Sequence, residues 1–180
     1  DLKGPITTAP VGGWSTVNPM LAGRSGHVQI GGKTAALVAG GSTDPTKVGL
    51  VETYDGVSWS TANPLPLSAS YGEAAGDVGS ELLFKGTWSG SGDYPASGIT
   101  MIGDGNTWSQ GPYTNVDGMH SDYHVGGNIG TQNAALSTYY SSPAAAQRTE
   151  EYNGTSWITH GYMNNISSYH GKGGVVNAAF

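Results

Sequence analysis

His120, Asp122 and His124 stand two residues apart, so on a strand all three side chains would project from one face. Two imidazoles and a carboxylate form a donor set suited to zinc or non-haem iron. Against that reading, His124 holds a repeat position shared with His27 and His170, where a histidine that hydrogen-bonds its neighbour is the simpler expectation. Trp88 lies in Gly86-Thr87-Trp88-Ser89-Gly90-Ser91-Gly92-Asp93-Tyr94, a Gly/Ser-rich stretch that reads as an exposed loop. With Tyr94 it could form a sugar-stacking platform or an interface anchor, or it could pack on a neighbouring unit. Tyr139-Tyr140 is a weaker candidate of the same kind. For catalysis the residues are poor. There is no Cys nucleophile, no Gly-x-Ser-x-Gly elbow and no motif that places an acid pair. Glu150-Glu151 sits on the strand entering the Asn-Gly turn, where one of the two must face outward, and reads as solvated surface. The four Gly pairs (31-32, 40-41, 126-127, 173-174) lack the strand–loop–helix setting of a phosphate site and are assigned to tight turns. No catalytic residue and no cofactor is therefore expected.

Composition narrows the classes further. Of 180 residues, 30 are Gly, none is Cys, and 11% are charged, with 7 Lys+Arg against 13 Asp+Glu. So much glycine argues against helices, where each costs about 1 kcal/mol relative to Ala. A net charge of −6 lacks the basic footprint of a nucleic-acid binder. No apolar run approaches the roughly 20 residues needed to span a bilayer, so no membrane insertion is expected. Without Cys, neither a disulfide framework nor a thiolate zinc site can form. The surface must be made polar by Ser, Thr, Asn, Gln and Gly. The first residue, Asp1, suggests a processed chain or part of a longer product.

The elements that would position such residues are set by a repeat. Trp14, Trp59, Trp108 and Trp157 are spaced by 45, 49 and 49 residues. Three of them follow Tyr54-Asp55-Gly56-Val57-Ser58, Gly103-Asp104-Gly105-Asn106-Thr107 and Tyr152-Asn153-Gly154-Thr155-Ser156. Asp-Gly and Asn-Gly predict type I′ hairpin turns with positive φ at both central residues, joining strands that end near Thr53, Ile102 and Tyr152 to strands carrying the Trp. Gly56, Gly105 and Gly154 thus join the Trp residues as repeat positions, with the Trp rings packing in the core or between units. Downstream, Gly31-Gly32 matches Gly126-Gly127 and Gly173-Gly174, while the second unit keeps Glu81-Leu82-Leu83-Phe84 without the double Gly. Short apolar runs bounded by Gly read as buried strands, and no segment shows a capped helical period. The fold class is all-β.

The double glycine after a buried strand, the Tyr-Asp/Asn-Gly turn and the Trp that follows resemble kelch-type repeats. Thr149-Glu150-Glu151-Tyr152-Asn153-Gly154-Thr155-Ser156-Trp157 and Gly130-Thr131-Gln132-Asn133-Ala134-Ala135-Leu136 are similar to repeats in structural proteins of tailed bacteriophages. The resemblance implies a single β-propeller domain over 1–180, with units near 15–59, 60–108, 109–157, and 158–180 completed by 1–14. Ile6–Trp14 aligns without gaps to Val51–Trp59, so four blades closed by both terminal segments are expected, against the rival of a fragment of a longer propeller. It further implies a non-enzymatic component of the virion surface: a fibre, capsid decoration or baseplate-associated module. Its expected partners are other virion proteins and a host-surface glycan, with homo-oligomeric assembly in keeping with that role. Two alternatives differ in class: a secreted bacterial or archaeal adhesin or filament subunit, and a glycan-active or metal-dependent enzyme built on His120, Asp122 and His124.

Overall fold

The computed structural model describes residues 15–70, 72–84, 87–88, 98–115, 128–138, 148–162 and 173–174. Among them there is no helix. The chain forms three four-stranded antiparallel meanders in succession. The first comprises β1 (Val28–Gly32), β2 (Ala35–Ala39), β3 (Val51–Tyr54) and β4 (Trp59–Ala62). A short strand, β5 (Ala69–Ser70), precedes the second, which contains β6 (Glu73–Asp77), β7 (Ser80–Phe84), β9 (Met101–Gly103) and β10 (Trp108–Gln110). Between β7 and β9, β8 (Thr87–Trp88) leaves the meander to pair with β5. The third meander is β11 (Asn128–Thr131), β12 (Ala134–Thr138), β13 (Arg148–Tyr152) and β14 (Trp157–Tyr162).

First strands meet first strands. β11 runs parallel to β6, with Asn128 opposite Ala74. β15 (Gly173–Gly174) then runs parallel to β11, with Gly173 and Gly174 opposite Asn128 and Ile129. Successive side chains of a strand point to opposite faces, and the second meander uses both. Ala74, Leu83 and Met101 pack with Val28, Ile30, Leu37, Ala39 and Val51 of the first. Ala75 and Leu82, one residue out of phase, pack with Ala135, Tyr152 and Trp157 of the third. This is why Glu73 to Gly76 are all buried, in place of the alternation of a half-solvated strand.

Each meander opens on a hairpin bent at a glycine. Gly31, Gly76 and Gly130 sit two residues before the turn, at φ of +94°, +95° and +99°. A Cβ at these positions would lie 2.3, 2.1 and 2.1 Å from the carbonyl oxygens of Ala35, Ser80 and Ala134. One correction follows. The equivalent of Gly31 in the third unit is Gly130, four residues after Gly126 of the pair that sequence matching selects; that pair lies outside the described residues. The second unit lacks the doubled glycine, and Gly76 alone supplies the position. The position requires backbone freedom at one residue, and a doubled glycine is no part of the requirement.

The second hairpin contains its own control. Gly76 and Gly79 share φ of +95°, but a Cβ at Gly79 would meet nothing within 4 Å. In equilibrium urea unfolding, Gly79→Ala should cost the backbone strain alone, about 1–3 kcal/mol. Gly76→Ala should exceed it by about 2 kcal/mol, because overlap with the Ser80 carbonyl is added. Equal costs would show that the close approach does not matter.

Candidate functional site

The described residues with the densest specific geometry are the hairpins that end each meander. Each joins its last two strands by a four-residue loop: 55–58, 104–107 and 153–156. Asp55, Asp104 and Asn153 donate their main-chain N–H to the carbonyls of Ser58, Thr107 and Ser156, each at 3.2 Å. Their side-chain Oδ1 atoms accept two further N–H groups: Val57 and Ser58 at 2.8 and 2.7 Å, Asn106 and Thr107 at 2.9 and 2.6 Å, Thr155 and Ser156 at 3.0 and 2.9 Å. The following glycines, Gly56, Gly105 and Gly154, take φ of +95°, +84° and +93°, while the Asp and Asn residues stay at negative φ. The expected two-residue type I′ turn is therefore corrected to a wider loop. The side chain caps the turn, so its backbone need not enter the left-handed region.

Behind each loop sits the tryptophan. Tyr54 and Trp59, and Tyr152 and Trp157, lie with ring centroids 5.1 Å apart. In the second unit Gly103 takes the tyrosine's place; a Cβ there would stand 2.8 Å from the Trp108 ring and 2.6 Å from Glu81 Oε2. The indole N–H groups reach out of their own meander. Trp59 Nε1 donates to the Asn18 carbonyl at 3.1 Å and Trp108 Nε1 to the Asn63 carbonyl at 3.2 Å, each in the segment that leads into its own meander. Asn18 and Asn63 return the contact through Nδ2 to the carbonyls of Val57 and Asn106, at 2.9 and 2.6 Å. Trp157, buried, donates to Thr100 Oγ1 at 2.9 Å, and Asn115 Nδ2 donates to the Trp157 carbonyl.

Four buried glutamates complete the arrangement: Glu52, Glu73, Glu81 and Glu150. Glu52 accepts from the N–H groups of Leu21 (2.7 Å) and Ala22 (3.2 Å) and from the fully buried Arg24 guanidinium. Glu150 accepts from Asn115 N–H at 2.8 Å, Glu81 from Gly79 and Gly105 N–H, and Glu73 from Ser137 Oγ at 2.9 Å. The assignment of Glu150-Glu151 to solvated surface is thus wrong for Glu150; Glu151 is half-buried with His160 Nε2 at 3.0 Å. Hydropathy alone cannot find these acids, because Glu52, Glu81 and Glu150 draw on main-chain N–H groups, which carry no sequence signature. Burial would push Glu52 up, but Arg24 and the two N–H groups outweigh it and hold the carboxylate below its usual range. Asp55 and Asp104 are held low, first by the N–H of Ser58 and of Thr107. Burial pushes His27 down, opposed by the contact of its Nδ1 with the Arg24 carbonyl.

Of the residues singled out for binding or chemistry, Trp88 is described through its backbone. The expected loop is there a strand, with Trp88 opposite Ala69. Tyr94, Tyr139, Tyr140, His120, Asp122, His124 and Trp14 lie outside the described residues. Among the described residues no group of three His, Asp or Glu could hold a metal ion. Tyr113, which sequence reading passed over, is an aromatic that stands 55% exposed, with Gln110 Nε2 3.4 Å from its hydroxyl. The hairpin side chains hold main chain. No protein-family model matches the chain, and no curated protein matches it.

Two measurements probe these contacts. Trp157→Phe keeps one aromatic ring but removes the rest of the indole and its buried N–H to Thr100, so it should cost about 2–3 kcal/mol in urea unfolding. Stability should also fall on acidification in two stages. His27, with a lowered folded pKa, favours the folded state above the unfolded value and loses that contribution as pH drops below about 6.5. The depressed Glu52, Asp55 and Asp104 contribute above about pH 4, and that contribution is lost as pH falls through their folded values. Urea midpoints across pH 2–8 read both stages. Glu52→Gln, which strands a buried guanidinium, should cost about 3 kcal/mol at pH 7 and flatten the lower stage.

Proposed function

We propose that the chain is a kelch-like β-propeller of four blades and acts as a non-enzymatic structural protein of a phage virion. In this reading it is a surface fibre, decoration or baseplate-associated module that contacts another virion protein or a host glycan. The succession β6, β11, β15 supports the propeller: the first strands of consecutive units run parallel beside one another, as innermost strands around an axis would. The two-sided packing of the second unit supports it too. The fourth blade is completed by the segment around Ile6–Trp14, on the strength of its gap-free match to Val51–Trp59.

The observation that carries the functional reading is the chemistry of the outer strands. Their exposed side chains are Ser60, Thr61, Ser109, Gln110, Ile158, Thr159 and His160, without one Lys, Arg, Asp or Glu. Strands of this kind, joined by densely hydrogen-bonded loops, suit neutral hydroxyl-rich partners and close packing in a particle better than electrostatic capture. The phage-repeat resemblance supplies the setting.

Three outcomes test the proposal. The chain should be found by mass spectrometry in purified virions from its source, and its absence there would overturn the virion assignment. Trp88→Ala with Tyr94→Ala should abolish binding to host cells or neutral glycan arrays at unchanged melting temperature; undiminished binding removes these residues from the site. Trp14→Ala should destabilise the fold as much as Trp59→Ala does, and a neutral Trp14→Ala would overturn the four-blade closure.

A further inference from the structure

We propose that Asn153 is a self-modifying site, at which the folded loop promotes conversion of the asparagine to aspartate. Asn153-Gly154 is the one Asn-Gly pair in the sequence, and Asn153 is exposed. An asparagine followed by glycine is chemically vulnerable because no side chain shields the next amide nitrogen. In the reaction the Gly154 nitrogen attacks Cγ of Asn153, its proton passing to hydroxide. A C–N bond forms, ammonia leaves, and a succinimide results. Water then opens the ring: cleavage of the Cγ–N bond gives aspartate, while cleavage at the α-carbonyl gives isoaspartate. The balance is asparagine plus water to aspartate plus ammonia.

During attack, negative charge develops on Oδ1. The loop already aims four donors at that atom: Thr155 N–H at 3.0 Å, Ser156 N–H at 2.9 Å, the Thr155 hydroxyl at 2.9 Å and, more distantly, the Ser156 hydroxyl at 3.5 Å. Preorganised donors on a developing oxyanion are the arrangement by which acyl-transfer sites lower their barriers. The product also fits. Asp55 and Asp104 hold the same place in the other two loops and accept the corresponding N–H groups at 2.6–2.9 Å. Isoaspartate does not fit, because an added main-chain methylene would disturb the Asn153–Ser156 closure and the Tyr152–Trp157 pair. The fold thus favours reopening to aspartate, which places a new negative charge on an exposed loop.

The test is peptide mapping of the full chain incubated at pH 8, folded or in denaturing urea, with aspartate and isoaspartate resolved. The folded chain should convert residue 153 faster than the unfolded chain, and mainly to aspartate. Thr155→Val should slow the folded reaction by about tenfold, less than the roughly hundredfold or more of an oxyanion donor in a water-excluded site, and leave the urea rate unchanged. A folded rate at or below the urea rate, or mostly isoaspartate from the folded chain, overturns the proposal. So does an equal effect of Thr155→Val in both states. Asn153→Asp should melt no lower than the parent chain at pH 7; a lower melting temperature would show that the loop rejects the product.

Discussion

Stacking one sheet on the next leaves the connecting chain with main-chain N–H and C=O groups that no strand ladder satisfies, and the fold depends on how these are met. The solution is to let each outer hairpin hold the segment that leads into its own meander. Trp59 and Trp108 take the carbonyls of Asn18 and Asn63, whose side chains return to the hairpin loops. Glu52 and Glu150 take the N–H groups of Leu21, Ala22 and Asn115. These bonds join residues 30 to 45 apart in sequence. They therefore fix the order in which sheets stack as well as the path of the connection.

The same economy explains a composition poor in charge. Buried carboxylates normally call for cations, and the chain has only 7 Lys+Arg. Arg24 serves Glu52, while Glu81 draws on the N–H groups of Gly79 and Gly105, whose glycine backbone can approach an acid closely. Alanine works alongside glycine. Ala39, Ala74, Ala75 and Ala135 occupy the faces where sheets meet, and small side chains there leave room for the larger ones opposite. A helix would gain nothing from so many glycines, whereas hairpins bent through positive φ require them.

What the sequence made legible was the punctuation. Trp59, Trp108 and Trp157 with the Asp-Gly and Asn-Gly pairs before them located the outer hairpins to within a residue: β3, β9 and β13 end at Tyr54, Gly103 and Tyr152, and the next strands begin on those tryptophans. The all-β class followed from glycine content and the short apolar runs. The inner hairpins were misaligned, because a doubled glycine is conspicuous in a sequence while the geometry asks for a single residue at positive φ. The cross-unit bonds were not legible at all. They join a side chain to main chain: Trp59, Trp108, Asn18 and Asn63 donate to main-chain carbonyls, and Glu52 and Glu150 accept from main-chain amides, so nothing in the letters at Leu21, Ala22 or Val57 marks the partner. Glu150 was misjudged for the same reason, since a buried acid with main-chain partners looks in sequence like any surface acid.

The three units also show which features the scaffold needs and which it leaves free. In the first and third, a small residue, Ala36 or Ala135, stands opposite a large one, Tyr54 or Tyr152. In the second the sizes are exchanged, with Glu81 opposite Gly103. The tie to the loop survives with its polarity reversed: Tyr152 donates its hydroxyl to the Gly154 carbonyl, whereas Glu81 accepts the Gly105 N–H. The second and third units thus tie this place to the loop with two unrelated residue pairs. By that standard the loop position taken by Val57, Asn106 and Thr155 is unconstrained by the scaffold, since an exposed aliphatic, an amide and a hydroxyl all serve there. Differences among units at such positions cost the fold little. They are where the surface of one unit can be specialised without disturbing the stack beneath it.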